Sequence, residues 1–167
     1  MSTMKLVVFT LLVGAIMAQE AVNWAIFEGR AYAYVPKYLI WTDAQKFCLT
    51  LGGSLASIRT SQEQDFVKAL AEGNRAWIGY SDAQTEAAWL WINSDRSTHT
   101  GWCPGEPNNA GGHQNCALID WTGMQSYHRI NTKWIICVNV LLLLPENKCW
   151  DDQDCHTAYS FICTKAV

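Results

Sequence analysis

Apolar and polar positions change period several times along this chain, and each change marks an element. Ala31 to Val35 reads Ala-Tyr-Ala-Tyr-Val, an alternation that predicts a strand. Thr42 is placed to cap a predicted helix through Asp43, Ala44, Phe47, Cys48 and Leu51, with Gly52-Gly53 as its stop. The spacing of Ser61 and Gln64 predicts a capping box for a second helix, with Phe66, Val67 and Leu70 as its apolar face and Gly73 at its end. Trp77-Ile78-Gly79-Tyr80 predicts a buried strand, and Trp89-Leu90-Trp91-Ile92 a second one, apolar on both faces. Residues 93–115 hold Asn, Gly, Pro and Asp at close intervals and read as a long loop, a type of segment that is usually functional. Cys116 to Asp120 and Tyr159 to Thr164 predict two more strands. Residues 19–30 show little pattern. A strand, two helices, then strands and a long loop make an α+β layout, not repeating βαβ, and the length of 167 residues suits one domain.

Two segments stand outside this layout. Lys5, the apolar run Leu6 to Met17 and Ala18 read as a secretory signal peptide over residues 1–18, leaving 19–167 as the domain. The run is too short for a membrane span. Residues 123–147 look foreign: Ile135-Ile136-Cys137-Val138-Asn139-Val140 runs into four leucines and Pro145. This stretch is either a buried strand or an exposed, aggregation-prone patch, and it too is short for a bilayer.

The net charge is −3, and losing Lys5 with the signal makes it one unit more negative. That balance argues against nucleic acid or an anionic membrane as partner and suits cation binding. Seven cysteines, all beyond residue 18, imply disulfides and an oxidising compartment, with at least one cysteine left over. The nine tryptophans are mainly core material. No Asn-x-Ser/Thr sequon occurs. His99, His113, His128 and His156 lack a zinc-like spacing with cysteine and read as surface residues. No nucleophile pattern emerges, so an enzyme is not expected.

The chemistry concentrates in two places. Trp102-Cys103-Pro104-Gly105-Glu106-Pro107-Asn108 offers two oxygen ligands from one loop, Glu106 and Asn108. Cys149-Trp150-Asp151-Asp152 offers two more from a separate segment. Calcium takes about six to eight oxygens, mostly carboxylates and carbonyls. Adjacent acids beside such a loop read as ligands rather than as a glycosidase pair.

These residues resemble a C-type lectin domain over roughly Trp24 to Lys165. Trp77-Ile78-Gly79 matches the family's core strand, Glu106-Pro107-Asn108 its sugar-specificity tripeptide, and Cys48, Cys116, Cys155 and Cys163 its framework cysteines. Gln114-Asn115-Cys116 and Trp150-Asp151-Asp152 fall where the family usually has Glu-Asn-Cys or Glu-Asp-Cys and Trp-Asn-Asp. The resemblance implies a C-type lectin-like fold with Cys48–Cys163 and Cys116–Cys155 bridges. Cys103 and Cys149 resemble the added bridge of small secreted fish lectins and type II antifreeze proteins. An N-terminal hairpin bridge is absent, since Ala31 stands where longer relatives have cysteine. A normal family length returns if residues 124–146 are removed, which suggests that this atypical insert, with the odd Cys137, is translated intron. An abundant spliced transcript containing it would sink that idea.

By the same resemblance the calcium ligands are Glu106, Asn108, Gln114, Asp151 and Asp152, with the Asp152 carbonyl, and the peptide before Pro107 is cis. Gln114 replaces a carboxylate and Asp151 replaces an amide, so the negative charge of the set is kept. Glu106, Asn108, Gln114 and Asp151 are also the implied carbohydrate contacts. Asn109 and Asn115 stand where relatives with extra calcium ions carry acids, so auxiliary sites are not expected. Glu-Pro-Asn resembles the mannose-type pattern, pointing to mannose, GlcNAc or fucose. The leading expectation is a secreted, calcium-dependent, mannose-type lectin in surface defence. A type II antifreeze protein and a protein-binding lectin-like module are the alternatives. Weak single-site binding would favour a homo-oligomer, formed through the domain itself or Cys137.

Overall fold

Trp77-Ile78-Gly79-Tyr80 forms a strand with no face turned to water: every residue from Ala76 to Ser81 is buried. The computed structural model describes residues 22–122 and 148–167. The elements in chain order are β1 (Ala25–Phe27), β2 (Arg30–Leu39), α1 (Trp41–Thr50), β3 (Ser54–Leu55), α2 (Ser61–Ala71), β4 (Ala76–Ser81), β5 (Leu90–Trp91), β6 (Gln114–Thr122), β7 (Lys148–Asp154) and β8 (Tyr159–Ala166). The signal segment 1–18, the insert 124–146 with Cys137, and His128 lie outside the described residues.

The sheet runs β1-β2-β8-β4-β6-β7, with β3 added on β8 and β5 on β4. The β4–β8 pairing is parallel and the other pairings between these strands are antiparallel, while Trp102 and Trp150 add an isolated parallel bridge. Gly79 is needed where β4 passes β3, because a Cβ there would lie 2.8 Å from the Leu55 carbonyl oxygen. Helix α1 buries Trp41, Ala44 and Cys48 against Leu55, Trp77 and Phe161. Helix α2 buries Val67 and Ala71 against Tyr32, Ile78 and Ile162.

Several expected boundaries move. Thr42 is not the cap of α1: the helix begins at Trp41, and the Ile40 carbonyl accepts from Asp43 and Ala44 without a side-chain cap. Trp41 fixes that start, since its buried indole donates to the Ile78 carbonyl at 2.8 Å. The capping box of α2 is Thr60 with Glu63, not Ser61 with Gln64. Thr60 Oγ1 accepts from Glu63 N at 3.1 Å, and Glu63 reaches back to the Arg59 N–H. Glu63 is buried and also takes Arg30 at 3.0 Å and the Tyr32 hydroxyl, which sets the helix phase. The predicted strand Trp89 to Ile92 shrinks to Leu90–Trp91; Leu90 is exposed, so its two faces are not both apolar. The patternless lead-in contains β1, turned onto β2 by Glu28 and Gly29, both at positive φ.

Three disulfides staple the layers. Cys48–Cys163 ties α1 to β8, Cys116–Cys155 ties β6 to the turn after β7, and Cys103–Cys149 ties the long loop to β7.

Candidate functional site

The loop that carries Glu106 is fastened to β7 along its length. Trp150 donates to the Gly101 carbonyl at 2.8 Å, and Cys103 donates to the Trp150 carbonyl at 2.9 Å. The Cys103–Cys149 bridge, with Cα atoms 4.9 Å apart, locks this register. Glu106 N closes a turn onto the Cys103 carbonyl, and the next peptide, Glu106–Pro107, is cis. Beyond it the backbone N–H groups of Asn108 and Asn109 donate to Asp152 Oδ1 and Oδ2 at 3.0 and 2.7 Å. Strand alternation turns the Asp152 carbonyl the same way as that of Trp150, toward the loop.

This fastening brings acids together. Ligand oxygens of Glu106, Asp151 and Asp152 lie within 4.8 Å of one another. Asp151 and Asp152 are buried, and Glu106 Oε2 is shielded from water with no hydrogen-bond partner. Burial, the hydrogen bond with the Asp152 carboxylate, and the charges of Asp151 and Asp152 push the Glu106 carboxyl up to about 7. Burial also raises Asp151, opposed by the bond from Gln153. Such crowding costs free energy unless a positive charge balances it, and an all-oxygen set fits a hard divalent cation.

The two amides meet nearby. Ala110 N lies 2.8 Å from Asn108 Oδ1 and 2.6 Å from Gln114 Oε1, and Gln114 N donates to Asn109 Oδ1 at 3.0 Å. Asn109 sits at positive φ to allow this, followed by a short 3-10 turn, Ala110–Gly112. Gln114 opens β6, opposite Asp154 at the end of β7.

A model of the lectin C-type domain matches residues 37–165. The chain belongs to the C-type lectin domain family. Among relatives of this C-type lectin domain, mouse (Mus musculus) C-type lectin domain family 4 member K is 30% identical, over 90% of this chain and 40% of its own length. Ladderlectin of Oncorhynchus mykiss is 31% identical, over 65% of this chain and 60% of its own length. The chain thus spans less than two thirds of either relative's own length. The solved herring type II antifreeze protein superimposes with a TM-score of 0.68 at 28% identity, covering 87% of this chain and 97% of that one. The family is one of binding domains that includes carbohydrate-binding lectins and type II antifreeze proteins, and no enzymatic family is indicated.

Within this C-type lectin domain the structure places further groups beside the acids. Gln153 Nε2 donates to Asp151 Oδ2 at 2.7 Å. Asp82 is buried; its Oδ2 takes Ala87 N, its Oδ1 is orphaned, and burial raises its carboxyl. Asn115 Oδ1 is orphaned as well. Nothing in the sequence marks Asp82 or Gln153 beyond their closeness to Trp-Ile-Gly-Tyr-Ser and to Asp151-Asp152. His99, expected at the surface, is half-buried against Trp150 and bonds Gln64 Oε1 at 3.1 Å. Behind the acids Trp150 is fully buried among Tyr80, Trp91 and Trp102, with ring centroids 5.8, 5.7 and 5.7 Å away.

Proposed function

We propose that this chain is a secreted, calcium-dependent carbohydrate-binding lectin of mannose-type specificity. The observation that carries the reading is the desolvated Glu106 carboxylate facing Asp151 and Asp152, a cluster of like charge that a divalent cation would balance. Glu106, Asp151 and Asp152 would supply its charged oxygens, and Asn108 and Gln114 neutral ones. A bound cation would also offer open coordination to a pair of sugar hydroxyls. A hydroxyl both donates and accepts. Glu106 accepts, and the Asn108 amide donates, in the order of the Glu-Pro-Asn tripeptide. Mannose, GlcNAc and fucose present hydroxyl pairs suited to that order. The three disulfides support an oxidising, extracellular setting. Among the described residues no helix is long and apolar enough to cross a membrane.

The test is retention of the full-length protein on mannose and galactose resins with calcium, then elution with EDTA. Retention on mannose alone, released by EDTA, is the expected result. Retention on galactose, or retention unaffected by EDTA, overturns the specificity or the cation.

The likeness to a type II antifreeze protein favours ice binding as a second reading. Thermal hysteresis in a protein that passes through both resins would decide for it.

A further inference from the structure

We propose that Gln153 is a positioning residue of the cation site, and that Asp151 and Gln153 together present what a single amide side chain would: an oxygen for the cation and an N–H for a ligand hydroxyl. The inference rests on the lectin reading above. Asp151 is a carboxylate, so it accepts hydrogen bonds and donates none. Residues two apart on a strand share a face, and Gln153 uses that placement to donate from Nε2 to Asp151 Oδ2 at 2.7 Å. On the other side the Tyr159 hydroxyl approaches Gln153 Oε1 at 3.5 Å, a long contact. Tyr159 is held in turn by edge contact with the buried Trp77, at a centroid distance of 5.0 Å. Turning the amide over would set Gln153 Oε1 against the Asp151 carboxylate, two acceptors with no proton between them.

Two consequences follow for the site. The bond from Gln153 takes one acceptor site of the Asp151 carboxylate and leaves it others for a cation. Gln153 Nε2 keeps a second N–H that no other described residue takes. The pair thus sets a carboxylate acceptor and an amide N–H side by side on β7.

Removing this support has a defined cost. Outer partners of metal ligands typically change affinity by about ten- to a hundredfold when lost. Gln153→Leu keeps the size and removes the donor. In the full-length protein we expect calcium affinity, read by titration calorimetry, to fall about tenfold or more. At saturating calcium the mannose-over-GlcNAc preference should shift as well. Asp151→Asn in the Gln153→Leu background restores an amide beside the cation, and the preference should return to within about twofold of the original, because a donor and an acceptor are again present.

Unchanged calcium affinity and preference in Gln153→Leu overturn the proposal. So does a shift of sugar preference at saturating calcium that Asp151→Asn fails to reverse, which would make Gln153 a packing residue only. Wild-type protein that binds no calcium overturns the lectin reading and this proposal with it. Wild-type binding beside an unaffected Gln153→Leu variant overturns this proposal alone.

Discussion

Asp152 holds the Asn109 backbone at 2.7 Å across 43 positions of sequence, and the same carboxylate faces Glu106. One side chain thus shapes the loop and repels it. Asp152→Asn keeps one acceptor for the loop and removes the charge. We expect its calcium affinity to fall by more than about tenfold, since affinity follows the charge count of the ligands. Its melting temperature in EDTA should change little, because relief of repulsion offsets the weakened bonds. Calorimetry and thermal scans with and without calcium check both parts.

The Glu106 carboxyl is raised from its ordinary value to about 7 by burial and by its acidic neighbours. In metal-free protein the folded state then holds this proton more tightly than the unfolded chain. Its contribution to stability is fully present below the unfolded value and is lost as pH rises through about 7. The EDTA-treated protein should accordingly melt lower at pH 8 than at pH 5. Calcium reverses the trend, because binding displaces the proton, and apparent affinity should fall by up to about tenfold per pH unit below this value. Melting curves across pH, with EDTA and with calcium, are the measurement.

Cys103 and Cys149 are 46 positions apart in sequence, and each lies just before one half of the acid cluster. Replacing both with alanine should cost about 2–4 kcal/mol of stability through the freed unfolded chain. It should lower calcium affinity as well, since assembling the two segments then falls to the backbone bonds at Gly101, Cys103, Asn108 and Asn109. Urea titration and calorimetry on the double variant separate these effects. An unchanged affinity would show that those bonds suffice.

Thr122 and Lys148 are register partners at the open end of the β6–β7 ladder. A chain lacking residues 124–146 joins Gly123 to Asn147, leaving a two-residue Gly-Asn connection between paired residues. Tight hairpins use this length, and glycine at the first turn position suits the type II′ form. We expect the shortened protein to form the same three disulfides and to bind calcium and mannose at least as well as the full chain. Mass mapping of the bridges and resin retention check this, and a shortened protein that fails to fold would assign the segment a structural part.

The elements that the sequence made legible are those whose own residues force them. Trp77 to Tyr80 is apolar throughout and has no alternative to a buried strand. Helix α2 was visible as a helix, but its cap was misplaced by one residue. The cap is chosen by the distant partners Arg30 and Tyr32, which draw in Glu63, and no local pattern shows them. Strand β1 is three residues long and exists through its pairing with β2. Trp150, Asp151 and Asp152 gave no strand signal, since acids disfavour strands; β6 and the loop hold them there. Within the site, chemistry marked Glu106, Asp151 and Asp152 in advance. Asp82 and Gln153 are ordinary polar residues until the fold sets them beside acids.

The wall of rings behind the acids makes the protein its own optical gauge. Trp150 adjoins Asp151 in sequence and packs edge-on against Trp91 and Trp102, close enough for their transitions to couple. A small shift of β7 would alter that coupling, so ion occupancy should be readable in near-ultraviolet circular dichroism and intrinsic emission, without a label.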